Sequence, residues 1–239
     1  MNEALEGKTV LVIGRGSGIA RAVTLAARDA GACVVVAGRD HRRLSSDYES
    51  EAGVTAETLD ITDDTSIEAL AGKLGAVDHI VSTASARARG RLGSLDRDSV
   101  RLSFDTKVIG PLMLAKHFAP HIQRGGSFVI FSGVAAAKIA VGTMGVAITN
   151  GATEILVKSL ALELAPIRVN AISPGVIDTG AWDSFGEQDK AKYFADISSR
   201  NPVGRIGTVD DIAHGVLFAM TNEFLTGQTL HIDGGEQLG

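Results

Sequence analysis

Lys8-Thr9-Val10-Leu11-Val12-Ile13-Gly14-Arg15-Gly16-Ser17-Gly18-Ile19-Ala20 decides the fold. Residues 8–13 form an apolar, β-branched run, the pattern of a strand buried on both faces. The glycine-rich turn after it opens a helical pattern that reaches Gly31. A strand passing through such a turn into a helix lets backbone N–H groups approach a pyrophosphate, with the positive end of the helix behind them. Gly14-x-x-x-Gly18 alone also suits a plain tight turn in a chain with 28 glycines. Its place between the first strand and a helix is what points to a nucleotide.

Working outward, β-branched runs recur at Val10–Ile13, Cys33–Ala37, Val54–Leu59, Val77–Ser82, Ser127–Ser132, Arg168–Ser173 and Thr229–Ile232. Helical patterns separate them, notably Val100–Gln123 and Thr149–Leu164, the second stopping before Pro166. This alternation predicts an α/β fold built of βαβ units around a parallel sheet. No repeat, low-complexity tract or linker divides the 239 residues, so a single domain over 1–239 is expected. Residues 180–200 break the rhythm, with Trp182, Phe185, Tyr193 and Phe194 among charged residues, and read as a substrate lid or as a subunit or core contact.

The composition excludes some roles. A net charge of −5 with dispersed basic residues argues against a nucleic-acid partner and against an anionic membrane surface. The longest small apolar stretch, residues 133–152, is broken by Lys138, Gly142, Gly145 and Asn150, so no membrane span is expected. Cys33, the only cysteine, lies in an apolar run and is read as a buried, inert thiol. Glu3 and Glu6 stand where a secretory signal carries basic residues, and a cytoplasmic location is expected. His117 and His121 are four apart, but Pro120 intervenes and the glutamate of a zinc-protease helix is missing, so no metal is expected.

A dinucleotide site that prefers NAD places a carboxylate at the end of the second strand, to bond the ribose 2′-OH. Gly38 stands there, followed by Arg39 and Asp40. The guanidinium of Arg39, helped by Arg15, suits a 2′-phosphate, so NADP(H) is the expected cofactor.

With the glycine turn, Asp60-Ile61-Thr62-Asp63, Pro174-Gly175-Val176-Ile177-Asp178-Thr179 and the closing Thr226-Gly227-Gln228-Thr229-Leu230-His231-Ile232-Asp233-Gly234-Gly235, nearly the whole chain resembles the short-chain dehydrogenase/reductases. The resemblance implies a doubly wound Rossmann-type domain with about seven parallel strands flanked by helices. It also implies an oxidoreductase acting on a small-molecule substrate, assembled as a homotetramer or homodimer. It carries the pyrophosphate contacts to Gly14, Ser17, Gly18 and Ile19, and the adenine contacts to Asp60 and Ile61. The nicotinamide contacts fall on Pro174, Gly175, Ile177 and Thr179, and the ribose side on Thr83, Ala84 and Ser85, where Ser82-Thr83-Ala84-Ser85 replaces the family's Asn-Asn-Ala-Gly.

The catalytic positions depart from the family. Counting back from Ser159-Leu160-Ala161 puts Asn150 at its lysine and Val146 at its tyrosine. Gly133, preceded by Ser132, stands at its serine, and Lys107 at its helix-bending asparagine. Valine cannot protonate the alkoxide formed when hydride adds to a ketone, a loss of about 10²- to 10⁴-fold when a positioned acid is removed. Three readings stay open. In the first, an NADP(H)-dependent oxidoreductase with a rebuilt site reduces C=O, C=N or C=C, with Lys107, Ser132 and Asn150 as the catalytic candidates. Lys107, with an intrinsic pKa of about 10.4 against about 10 for tyrosine, is the candidate proton donor, or else a solvated or ion-paired group. Ser132 or Thr149 would orient substrate, and Asn150 would bond the ribose. Reduction of an iminium would need no acid. The second reading is a non-redox isomerase, lyase or cyclase, and the third a non-catalytic NADPH-binding subunit or sensor.

Overall fold

The computed structural model describes residues 4–238, without the side chains of Ala181, Ser184 and Phe185. Glu3 lies outside these residues.

Seven parallel strands, β1 (Thr9–Ile13), β2 (Cys33–Gly38), β3 (Val54–Thr58), β4 (Val77–Ser82), β5 (Ile122–Phe131), β6 (Arg168–Pro174) and β7 (Thr229–Ile232), form one sheet in the order β3-β2-β1-β4-β5-β6-β7. Each expected strand run is present. Side chains alternate across the pleat, so Val10 and Val12 face one layer while Leu11 and Ile13 face the other. The first layer holds α1 (Gly18–Asp29) and α8 (Val209–Thr221): Val23 and Ala27 of α1 and Ile212 and Val216 of α8 share one apolar cluster with Val10, Val34, Val129 and Ile172 of the sheet, α1 lying over β1 and β2 and α8 over β5, β6 and β7. The second holds α3 (Asp64–Leu74), α5 (Gly110–Phe118) and α6 (Met144–Glu163), which bury Ile67, Leu70, Leu114, Phe118, Val157 and Leu160. Both faces are therefore covered, the condition under which an all-parallel sheet is stable. Strand order reverses between β1 and β4, and the crevice at their carboxyl ends is where ligands bind in open α/β sheets.

Three expectations need correction. The helix expected over Val100–Gln123 is α4 (Arg97–Phe104), a π-turn at Asp105–Ile109, and α5; a 3₁₀ turn follows and Ile122 already begins β5. Pro111 is the cause at the centre, because it lacks the N–H that the carbonyl of Lys107 would accept four residues on. Second, α6 begins at Met144 rather than Thr149, and Thr149 is buried inside it. Third, Cys33 is exposed, because it is the first residue of β2, ahead of Val35 and Ala37, which carry the same face of the strand into the core.

The remaining helices are α2 (His41–Asp47) and α7 (Glu187–Arg200), the latter preceded by a 3₁₀ turn at Gly180–Phe185. Among the described residues no helix is long and apolar enough to cross a membrane. His117 Nε2 donates a hydrogen bond to the Asp64 carboxylate at 2.7 Å, and no group of three metal-ligating side chains occurs among the described residues.

Candidate active site

The cleft at the carboxyl edge of the sheet has two halves. The first is made by backbone. Gly14 follows β1, and a Cβ there would lie 2.2 Å from the Thr83 hydroxyl, which donates to the carbonyl of Ile13 at 2.9 Å. Gly18 has φ of +59°, left-handed backbone that glycine adopts at no steric cost. Ser17 is the N-cap of α1 but makes no side-chain capping bond, and the first turn carries no acidic residue. The N–H groups at this helix end are thus free to meet an anion. Gly38 is required because a Cβ would stand 2.8 Å from the carbonyl of Gly14. Arg15 and Arg39 are exposed, without a hydrogen-bond or ion-pair partner among the described residues. Asp40 is engaged as the N-cap of α2, accepting from the Arg43 N–H at 3.1 Å.

The same edge collects the other expected contacts. Asp60 follows β3 and accepts from the Thr62 N–H and hydroxyl, which hold its pKa low, with the charge of Arg39 adding to the effect. Ile61 is buried against Gly110, where a Cβ would come within 2.6 Å of it. Ala84 and Ser85 continue from Thr83 into the cleft mouth, with Ser85 exposed. After β6, Pro174 is followed by Gly175, held tight by Glu236, whose carboxylate accepts from the Val176 N–H at 2.9 Å. Ile177 is buried and bridges to Gly207, while Thr179 packs beside Gly18.

The second half is made by side chains. The π-turn carries Lys107 inward, 5% exposed. Its freed carbonyl accepts from the Thr153 hydroxyl at 3.1 Å. Its ammonium donates to the carbonyl of Ser132 at 3.1 Å and to the side-chain oxygen of Asn150. The Asn150 amide is oriented from its other end, where Nδ2 donates to the carbonyl of Gly133 at 3.1 Å. A Cβ on Gly133 would lie 2.9 Å from that nitrogen, so a serine there is incompatible with Asn150 as placed. Burial, and then the charge of Arg87, lower the pKa of Lys107 to about 7, against the partial support of Glu154. The lysine of the π-turn and the asparagine of α6 thus meet beside the end of β5.

Ser132 presents its carbonyl to Lys107. Its hydroxyl turns to α6, donating to the Glu154 carboxylate at 2.8 Å, with the Asn150 carbonyl 3.3 Å away. Thr149 donates within its own helix, to Gly145 and Val146, and accepts from Ser103, so it is not free to orient a substrate. Val146 is buried. Glu154 was missed by sequence reading, although it lies one turn beyond Asn150 on the same face of α6 and was legible from that spacing. The Gly180–Arg200 segment is tied to the cofactor edge by Trp182, whose indole N–H donates to the Ile177 carbonyl at 2.9 Å. The ring of Trp182 packs on Tyr193 and Phe194, with centroids 5.0 and 6.4 Å away. Phe185 lies outside the described side chains.

Known proteins share this architecture. A family model described as enoyl-(acyl carrier protein) reductase matches residues 13–237. The L-xylulose reductase of Mesocricetus auratus is 31% identical over 98% of both chains. A small-chain dehydrogenase solved in complex with NADPH superposes with a TM-score of 0.84 at 32% identity, covering 97% of this chain and 99% of the other. The MalC reductase/Diels-Alderase of Malbranchea aurantiaca superposes with a TM-score of 0.92 at 25% identity, covering 100% and 99%. With the reversed strand order, the glycine turn and this match over almost its whole length, the chain belongs to the short-chain dehydrogenase/reductases and is an oxidoreductase by kinship.

Proposed function

We propose that the chain is an NADPH-dependent reductase of a C=O, C=N or C=C bond in a small organic molecule, with Lys107 in place of the missing tyrosine as proton donor. The mutual fit of the altered residues carries this reading. Lys107, Asn150 and Gly133 depend on one another sterically and by hydrogen bonds. Lys107 is buried with only neutral acceptors among the described residues, which costs folding stability, and a site that had only lost its chemistry gains nothing by bearing that cost.

The backbone half of the cleft fits a dinucleotide. The uncapped start of α1 and the close approach at Gly14 and Gly38 suit a pyrophosphate, and unpaired Arg39 and Arg15 suit a 2′-phosphate. Asp40, the nearest acid that would favour NAD, is engaged as a helix cap. The solved NADPH complex of a relative supports the same choice. When bound, NADPH supplies hydride. Lys107 in its ammonium form has three protons and two acceptors in the protein, Ser132 and Asn150. The third proton is the one to give. The neutral amine left behind keeps two N–H groups for the same two acceptors, so donation breaks no hydrogen bond. A pKa of about 7 suits an acid working near neutral pH. Ser132 and Glu154 act as positioning residues, and residues 180–200 close over the substrate through the Trp182–Tyr193–Phe194 cluster. Ile148, Ile155 and Leu162, seven apart and exposed along α6, suit pairing with a second copy of the chain.

The reductase/Diels-Alderase relative favours a second reading, in which the cleft also shapes a substrate for a reaction without hydride transfer. Following NADPH oxidation with imines, enones and ketones, for the native chain and Lys107→Met, tests both. Ketone reduction lost in the variant supports the lysine acid. Product formed at an undiminished rate without nicotinamide establishes the non-redox reading, and no turnover above buffer leaves a nucleotide-binding subunit.

A further inference from the structure

Between Asp78 and Asp96 the chain carries Arg87, Arg89 and Arg91 and no acidic residue, in a protein of net charge −5. No guanidinium of the three has a hydrogen-bond or ion-pair partner among the described residues; only the Arg91 carbonyl is engaged, by Ser94. Their segment is nevertheless held firmly. The Ala86 carbonyl accepts from the Ser103 hydroxyl at 2.8 Å, and the Gly90 N–H donates to the Gly142 carbonyl at 2.9 Å. Ala88 is buried so closely against α6 that a Cβ on Gly145 would stand 2.7 Å from its carbonyl. Ala86 and Ala88 are thus packed in while Arg87 and Arg89 alternate outward, on a strap clamped to the start of the helix that carries Val146 and Asn150. Arg87 is close enough to depress the pKa of Lys107, and its own is lowered by partial desolvation and by the charges of Arg89 and Arg15. Arg89 and Arg87 also act on the phenol of Tyr193, from the segment that faces the strap. Two carboxylates on this side of the cleft are engaged elsewhere, Glu154 by the Ser132 hydroxyl and Glu236 by the Val176 N–H.

We infer that Arg87 and Arg89 form a binding site for the carboxylate of an acidic organic substrate, placed so that its reducible group reaches Lys107. This rests on the reductase reading for the role of the bound molecule, though not for the binding itself. Two guanidiniums free of carboxylate partners and fixed on a rigid strap give the planar, paired donors that a carboxylate accepts. Cofactor phosphates are the competing claimants, since Arg15 is near, and the test separates the two.

Trp182 is the only tryptophan and lies in the segment facing the strap, so its fluorescence reports occupancy locally. The probes are pyruvate, 2-oxobutyrate, 2-oxoglutarate and benzoylformate, each against its methyl ester, titrated into the full chain with and without saturating NADP⁺. At least one acid binds about tenfold or more tighter than its ester. Arg87→Ala and Arg89→Ala reduce that preference to less than about threefold, and Arg87→Lys restores part of it. NADPH affinity, read by calorimetry on the same proteins, stays within about twofold. Acids and esters binding alike, or neither binding, overturns the inference. So does an Arg87→Ala loss that falls on NADPH instead. If NADPH fails to bind the native chain, the reductase reading falls, while the titration without nucleotide still judges the carboxylate site.

Discussion

The two halves of the cleft are built from different materials. On the β1–β4 side the work is done by backbone: the free N–H groups of α1, the turn at Gly14 and the approach of Gly38 to Gly14. On the β5–α6 side it is done by side chains that touch one another, Lys107 with Asn150 and Asn150 with Gly133. Backbone geometry depends on glycine at a few positions and tolerates change elsewhere. A cluster of touching side chains changes only as a set, and Lys107, Asn150 and Gly133 form such a set.

Breaking the side-chain half should have the largest effect. Lys107→Met should lower the rate of reduction of any ketone the native chain accepts by about 10²- to 10⁴-fold, with NADPH affinity unchanged, as read by single-turnover kinetics and by calorimetry. The same variant should gain thermal stability, with a defined pH dependence. The folded-state pKa of Lys107 is lowered from 10.5 to about 7, so the unfolded chain holds a proton that the folded one releases between those values. The penalty is full below pH 7 and fades as pH rises toward 10.5, so melting temperatures of variant and native chain should converge over that window.

Gly133→Ala sharpens the comparison. Its Cβ would meet the Asn150 amide at 2.9 Å, so turnover should fall about tenfold in the native background and much less in Asn150→Ala. A double-mutant cycle reads the coupling. On the backbone half, Arg39→Ala should weaken NADPH about tenfold while leaving NADH within about twofold, by parallel titrations. The smallest effect on chemistry is expected at Ile155→Glu, which should leave cofactor binding intact and shift the oligomer toward monomer in light scattering.

Legibility followed the same division. The strands and the glycine turn were readable because short β-branched runs and glycine spacing are local signals, and each expected strand run is present. Lys107 could be placed by counting, but not aimed. Its inward turn depends on Pro111, which removes the N–H that would have closed the α-helix, and that signal was present in Gly110-Pro111 without being decisive. Glu154 and the fit of Gly133 to Asn150 are relations between β5 and α6, visible only once those elements pack. Cys33 misled because an apolar run does not show which strand end faces solvent.

The most direct test of a rebuilt proton-donating cleft needs no substrate. Lysine side chains labelled at Cε can be titrated by NMR in the native chain and in Lys107→Met. A lysine resonance should titrate near pH 7 in the native chain and be missing in the variant. Lysines that all titrate at about 10.4, with none lost from the low range, would contradict a buried ammonium poised to give up its proton.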